Sequence, residues 1–108
     1  MTDPEDLLRA IQREIRDHGV RWTVHGVHEA SADRLSVDEI EAALVLPEAE
    51  VIEDYPEDSR GPSCLVLSRI EGARPVHIVV SHPPEPAVIT IYLPDAVKWK
   101  TPRERRRN

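Results

Sequence analysis

The sequence predicts a single α+β domain in which N-terminal helices pack on one face of a four-stranded antiparallel sheet. Three observations predict it. Apolar residues recur at helical spacing through Leu44, and from Glu50 onward the period changes to two with β-branched residues concentrated in four runs. Helices first and strands after is the order of a domain whose helices gather on one side of its sheet. A chain of 108 residues is long enough for one core and too short for two.

The elements follow in order. Thr2, Pro4 and Glu5 supply a capping hydroxyl, a first-turn proline and a carboxylate three residues after the cap. Leu7, Leu8, Ile11 and Ile15 then form an apolar stripe, so an N-terminal helix falls within residues 1–20 and stops near Gly19. A short extended piece around Trp22 to Val24 leads to a second helix over 25–33. Ser36 and Glu39 make a capping box, and Val37, Ile40 and Leu44 are the buried stripe of a third helix ending before Pro47. Strands are predicted over 51–55, 64–70, 76–81 and 87–93. Glu71, Gly72 and Ala73 are short enough for a hairpin, and His82 to Pro86, with three prolines, is a stiff turn.

Alternation sorts the faces of the sheet. Ile89, Ile91 and Leu93 share one face with Val76, Ile78 and Val80, which assigns that face to the helices. The other face then presents Thr90, Tyr92, His77 and Ser81 on an uncovered side. In the strand over 64–70 the two sides compete, Leu65 and Leu67 against Cys64 and Val66. An ordinary solvated face accounts for the same pattern.

Phe is absent and aromatic residues total 4%, so the core is aliphatic. One cysteine, Cys64, excludes an internal disulfide and a zinc thiolate cluster, and fits a reducing cytoplasm. The acidic start, Met1 to Asp6, is unlike a signal peptide, and no apolar run approaches membrane-spanning length. The formal net charge of -6 averages two unlike parts. Residues 1–58 hold 5 basic against 16 acidic side chains, a net -11, and residues 59–108 hold 9 against 4, a net +5. The basic end, residues 102–108 with Arg103, Arg105, Arg106 and Arg107, reads as a flexible tail that either tracks phosphates or solubilises the chain.

Four constellations carry chemistry. His25 and Glu29, one helical turn apart, suit a proton-transferring imidazole and its orienting carboxylate, and suit equally a brace for the helix. His77 and Tyr92 meet on the uncovered face. Arg60, in the stiff loop from Tyr55 to Ser63, is aimed either at a phosphate or at Glu57 and Asp58. Trp99, between Lys98 and Lys100, either stacks on a base or clamps the last segment to the core. No metal site is expected: His25 and His28 are three apart, but His28 and Glu29 diverge by about 100° on a helix and no second pair completes a set.

Three stretches resemble one family. They are Ile52-Glu-Asp-Tyr-Pro-Glu-Asp-Ser-Arg-Gly-Pro-Ser-Cys-Leu65, the segment from Thr23 to Glu29 with a histidine, a small residue and an acidic residue four positions on, and Tyr92-Leu-Pro-Asp-Ala-Val-Lys-Trp99. The likeness runs from about Trp22 to Arg106. It is to a group of small bacterial domains of unknown function that look like relatives of the RelE and MqsR type ribonuclease toxins, often encoded beside YgiT-type zinc-finger antitoxins. The resemblance implies a RelE-like fold, an RNA substrate, an antitoxin protein as partner and cleavage without metal or other cofactor. His77, His25 and Tyr92 would then share proton transfer, with acid and base unassigned among them, and Glu29 would orient. Arg60 would stabilise charge, and Lys98, Trp99, Lys100, Arg103, Arg105 and Arg106 would hold RNA. The competing class is a non-catalytic module that binds a protein or nucleic acid on the same fold.

Overall fold

A computed structural model describes residues 3–106. Helix α1 (Pro4–His18) is capped by Asp3, whose carboxylate accepts from the Glu5 amide; the Thr2 cap lies outside the described residues. Strand β1 (Arg21–Trp22) is followed at once by α2 (Val24–Ala32), and α3 (Val37–Leu44) completes the helical layer. The capping oxygen of Ser36 accepts from the Glu39 amide at 3.0 Å, one of the two bonds of a capping box. At the other end of α3, Gln12 donates to the carbonyls of Leu44 and Leu46 and the Ser68 hydroxyl to that of Ala43, so the orphan carbonyls of a helix terminus are satisfied from α1 and from the sheet.

The strands are β2 (Glu50–Tyr55), β3 (Ser63–Ile70), β4 (Arg74–Ser81) and β5 (Ala87–Tyr92), with a small hairpin of β6 (Trp99–Thr101) and β7 (Glu104–Arg105) after them. The main sheet has five strands in the order β1-β5-β4-β3-β2 and is mixed, because β1 runs parallel to β5. The expected four-stranded antiparallel sheet is thereby corrected: two residues of β1 pair with Ala87 and Val88, a contact too short to leave a periodic signal. Gly72, at φ 78°, makes the tight turn from β3 to β4.

The helix side of the sheet is formed by Cys64, Val66, Ile70, Val76, Ile78, Val80, Val88 and Ile91, packed against Leu8, Ile11, Ile40 and Leu44. This settles the third strand in favour of Cys64 and Val66. In β5 a register shift opposite Val79 and Val80 pairs Val80 with Val88 and Val79 with Thr90. Ile89 is the extra residue, so Val88 takes the buried place expected for Ile89. A second shift, between Val51 and Glu53, sets Glu50 opposite Leu67 and Glu53 opposite Leu65. Glu50 and Glu53, three apart in sequence, therefore share the face turned away from the helices.

Candidate functional site

That second face is where His77 lies, opposite Leu67 on one side and Tyr92 on the other. Sequence alternation expects it to be open. In the structure the β6–β7 hairpin folds over it, and His77 is 0% exposed. Its ring meets Tyr92 edge-on at 5.1 Å and Trp99 at 4.3 Å between centroids. Trp99, 4% exposed, is itself covered by the Arg105 guanidinium, 4.5 Å from the ring centre. Over residues 102–106 the chain is thus a folded cover and not a loose tail; Arg107 lies outside the described residues. The covered face also explains why Leu65 and Leu67 are buried although they point away from the helices.

The hydrogen bonding of His77 places a proton on Nε2. Nε2 is 2.7 Å from the Pro102 carbonyl oxygen, which can only accept, so Nε2 carries the proton. Nδ1 is buried with no partner among the described residues. A second proton there would be a desolvated charge, and burial holds the His77 pKa below its ordinary value despite the favourable carbonyl contact and the Glu53 charge. Burial thus favours the neutral imidazole, with its lone pair on Nδ1.

Around it sits a polar ring built from β2 and β7. Arg105 donates to both oxygens of Glu53, at 2.7 and 3.0 Å, and the Tyr55 hydroxyl donates to the same carboxylate. The Arg105 bond holds the Glu53 carboxyl below its usual range, while burial and the bond to Glu53 push Tyr55 up to about 12. Arg103 pairs with Glu50, its Nη2 and Nε donating to Oε2 at 2.6 and 3.0 Å and its Nε also to Oε1 at 3.3 Å. Tyr92, raised chiefly by burial, keeps its proton over the neutral range. Tyr92, Leu93, Asp95, Lys98, Trp99 and Arg105 line an adjoining cleft of about 310 Å³. Larger hollows, of about 430 Å³ beside the start of α1, where Glu50 is part of the lining, and about 600 Å³ at its end, are lined by neither His77 nor Tyr92.

The other candidates fall elsewhere. His25, 65% exposed, approaches Glu29 at 3.7 Å on α2, and no hydrogen bond or ion pair among the described residues joins this couple to His77. Arg60 is exposed and makes the contact expected of the loop itself, 3.5 Å to Asp58. Lys98 and Lys100 are exposed, and Arg106 donates to the Ala96 carbonyl. Sequence reasoning missed Glu50, Glu53 and Tyr55 as members of the site. Their signal was the acidic, aromatic composition of β2, which becomes legible only with the register shift that turns both glutamates to one side.

The His77 environment makes a pH prediction. A histidine with a depressed folded pKa stays neutral in the native chain while the unfolded chain protonates below about 6.5, so its contribution is complete above that value and falls as the pH drops. Glu53, also depressed, adds a contribution present above its ordinary 4.5 and lost as the pH falls through the folded value. Urea midpoints should therefore fall between about pH 7 and about pH 5, and less so in His77→Phe, which has no imidazole to protonate. Equal losses in both proteins would remove His77 as the cause.

Among the described residues no three His, Cys, Asp or Glu side chains converge as a metal site, and no helix is long and apolar enough to cross a membrane. The family profile described as "Domain of unknown function (DUF4258)" matches residues 22–93, from β1 to the end of β5. No curated protein and no solved structure matches the chain.

Proposed function

Starting from the chain's membership of the DUF4258 family, we propose that it is a cytoplasmic, toxin-type endoribonuclease on a RelE-like fold, cleaving RNA without metal and restrained by an antitoxin protein. The observation that supports this reading best is the cleft beside His77. It gathers a phenol, two cations and a carboxylate at one edge of the helix-free face. In such a reaction a base removes the proton of a ribose 2′-hydroxyl, whose oxygen bonds to the neighbouring phosphorus. The bond from phosphorus to the 5′-oxygen then breaks, and an acid protonates the departing oxygen. Tyr92 retains its proton and suits the acid. The neutral His77, with a free Nδ1 lone pair, has the protonation state a base needs. Lys98 and Arg105 suit the charge that develops on the phosphorane.

One observation favours a second reading, a binding module without catalysis: His77 is sealed under the hairpin by the Trp99 ring, so it does not reach a substrate while the hairpin stays closed. Incubation of single-stranded RNA with the pure protein, with and without chelator, separates the two. Cleavage should persist in chelator, and Tyr92→Phe should slow it by about 100-fold or more, the usual worth of a positioned acid. No cleavage by the wild-type chain overturns the nuclease and leaves the module.

A further inference from the structure

The hairpin arginines are not free cations. Arg103 and Arg105, two residues apart, emerge on the same side of the final segment and each grips one carboxylate of β2. Glu50 and Glu53 match them because the register shift at Ile52 brings residues three apart to a two-residue spacing on one face. That spacing is about 7 Å along a strand, comparable to consecutive phosphates on an extended single strand. Two carboxylates at this interval offer the hairpin what two phosphates would, and bidentate arginine recognition serves either. The Arg103–Glu50 pair is about half open to solvent and the Arg105 side of the second pair is 50% exposed, so exchange of one anion for another needs no core rearrangement. The same exchange would loosen the hairpin from β2, over the sealed His77.

We propose that Arg103 and Arg105 form a latent phosphate-binding rail, occupied in the free protein by Glu50 and Glu53 and taken over by the backbone of single-stranded RNA. The rail rests on the reading that RNA is the substrate, and it assigns the charge division of the chain a task. The acidic part of the sequence masks the basic part until a longer polyanion competes for it.

A 2′-O-methylated oligouridylate tests this, because it offers phosphates and cannot be cleaved by attack of the 2′-oxygen. Glu50→Gln/Glu53→Gln should bind it on the order of tenfold more tightly than wild type at low salt, with a log-log salt slope steeper by about 1.4, about 0.7 for each phosphate gained. Glu14→Gln/Glu39→Gln, which makes the same change in net charge, should gain much less. Adding Arg103→Ala/Arg105→Ala to the first variant should erase the gain. In the wild-type chain, saturating oligouridylate should speed hydrogen exchange of the β6–β7 amides, a readout that does not depend on any variant folding. Equal gains in the two glutamine variants, or exchange unchanged on binding, overturn the rail. Since the probe is inert, a protein that shows the gain and cleaves no RNA keeps the rail and loses the nuclease. One that cleaves RNA without the gain keeps the nuclease and loses the rail.

Discussion

Trp99→Ala is expected to cost about 3–5 kcal/mol of unfolding free energy, the range for truncating a buried tryptophan. The side chain is 4% exposed and stands between the His77 ring and the Arg105 guanidinium, so its removal takes away both contacts at once. A domain's whole stability is on the order of 5–15 kcal/mol, and a core without phenylalanine has little surplus. The loss should begin locally. With the indole gone, the hairpin keeps the bond from His77 to the Pro102 carbonyl and two partly exposed ion pairs to β2, each pair worth about 1 kcal/mol, and should open before the sheet unfolds. Urea unfolding checks the first expectation, and an NMR titration of the His77 ring checks the second. As water reaches the imidazole, its depressed pKa should move back towards the ordinary value. A variant with wild-type stability and an unmoved His77 titration would show that the hairpin is held by something other than Trp99.

The second large effect lies on the opposite side of the molecule. Gly26→Ala should destabilise by about 2 kcal/mol, although alanine is the better helix former by about 1 kcal/mol. A Cβ at this position would stand 2.8 Å from the Val88 carbonyl oxygen and 3.2 Å from the Thr23 hydroxyl. Neither neighbour can retreat cheaply. The Val88 carbonyl accepts from the Thr23 amide at 3.0 Å, and the Thr23 hydroxyl caps α2 while donating to the Ile89 carbonyl at 2.9 Å. The added methyl group therefore separates α2 from β5 beside one of the two bonds that stitch this segment to the sheet. Thermal unfolding checks this, and a midpoint at or above wild type would show that the helix shifts without cost.

Much of this fold was legible because its helices and long strands announce themselves locally. The Ser36 cap, the stripe of Leu8, Ile11 and Ile15, and alternation through Val76, Ile78 and Val80 each lie within one element, where period and propensity act together. What escaped is what depends on distant partners. β1 is two residues long and exists because Ala87 and Val88 offer it an edge. The stretch from Trp99 to Arg106 reads as a charged tail, since the carboxylates that fold it down lie more than fifty residues earlier. Alternation placed His77 beside Tyr92, and the structure has them opposite one another. It could not show the cover above them, because parity gives direction and says nothing of what arrives there. The register shifts opposite Val79 and Val80, and at Ile52, are likewise invisible to a pattern that assumes an unbroken ladder.

The two shifts and the short β1 have a consequence for how other chains can approach. A sheet edge recruits a foreign strand when it presents a long, flat row of unpaired amides and carbonyls. On one side, β1 pairs for two residues and the chain turns directly into α2, which packs against β5 and interrupts the row. On the other, β2 is bent by its extra residue and carries Glu50, Glu53 and Asp54. Neither border invites strand addition or edge-to-edge aggregation. A protein that holds this one must grip side chains on its surfaces, and the chain should stay dispersed at concentrations where an unguarded sheet of this size would stack.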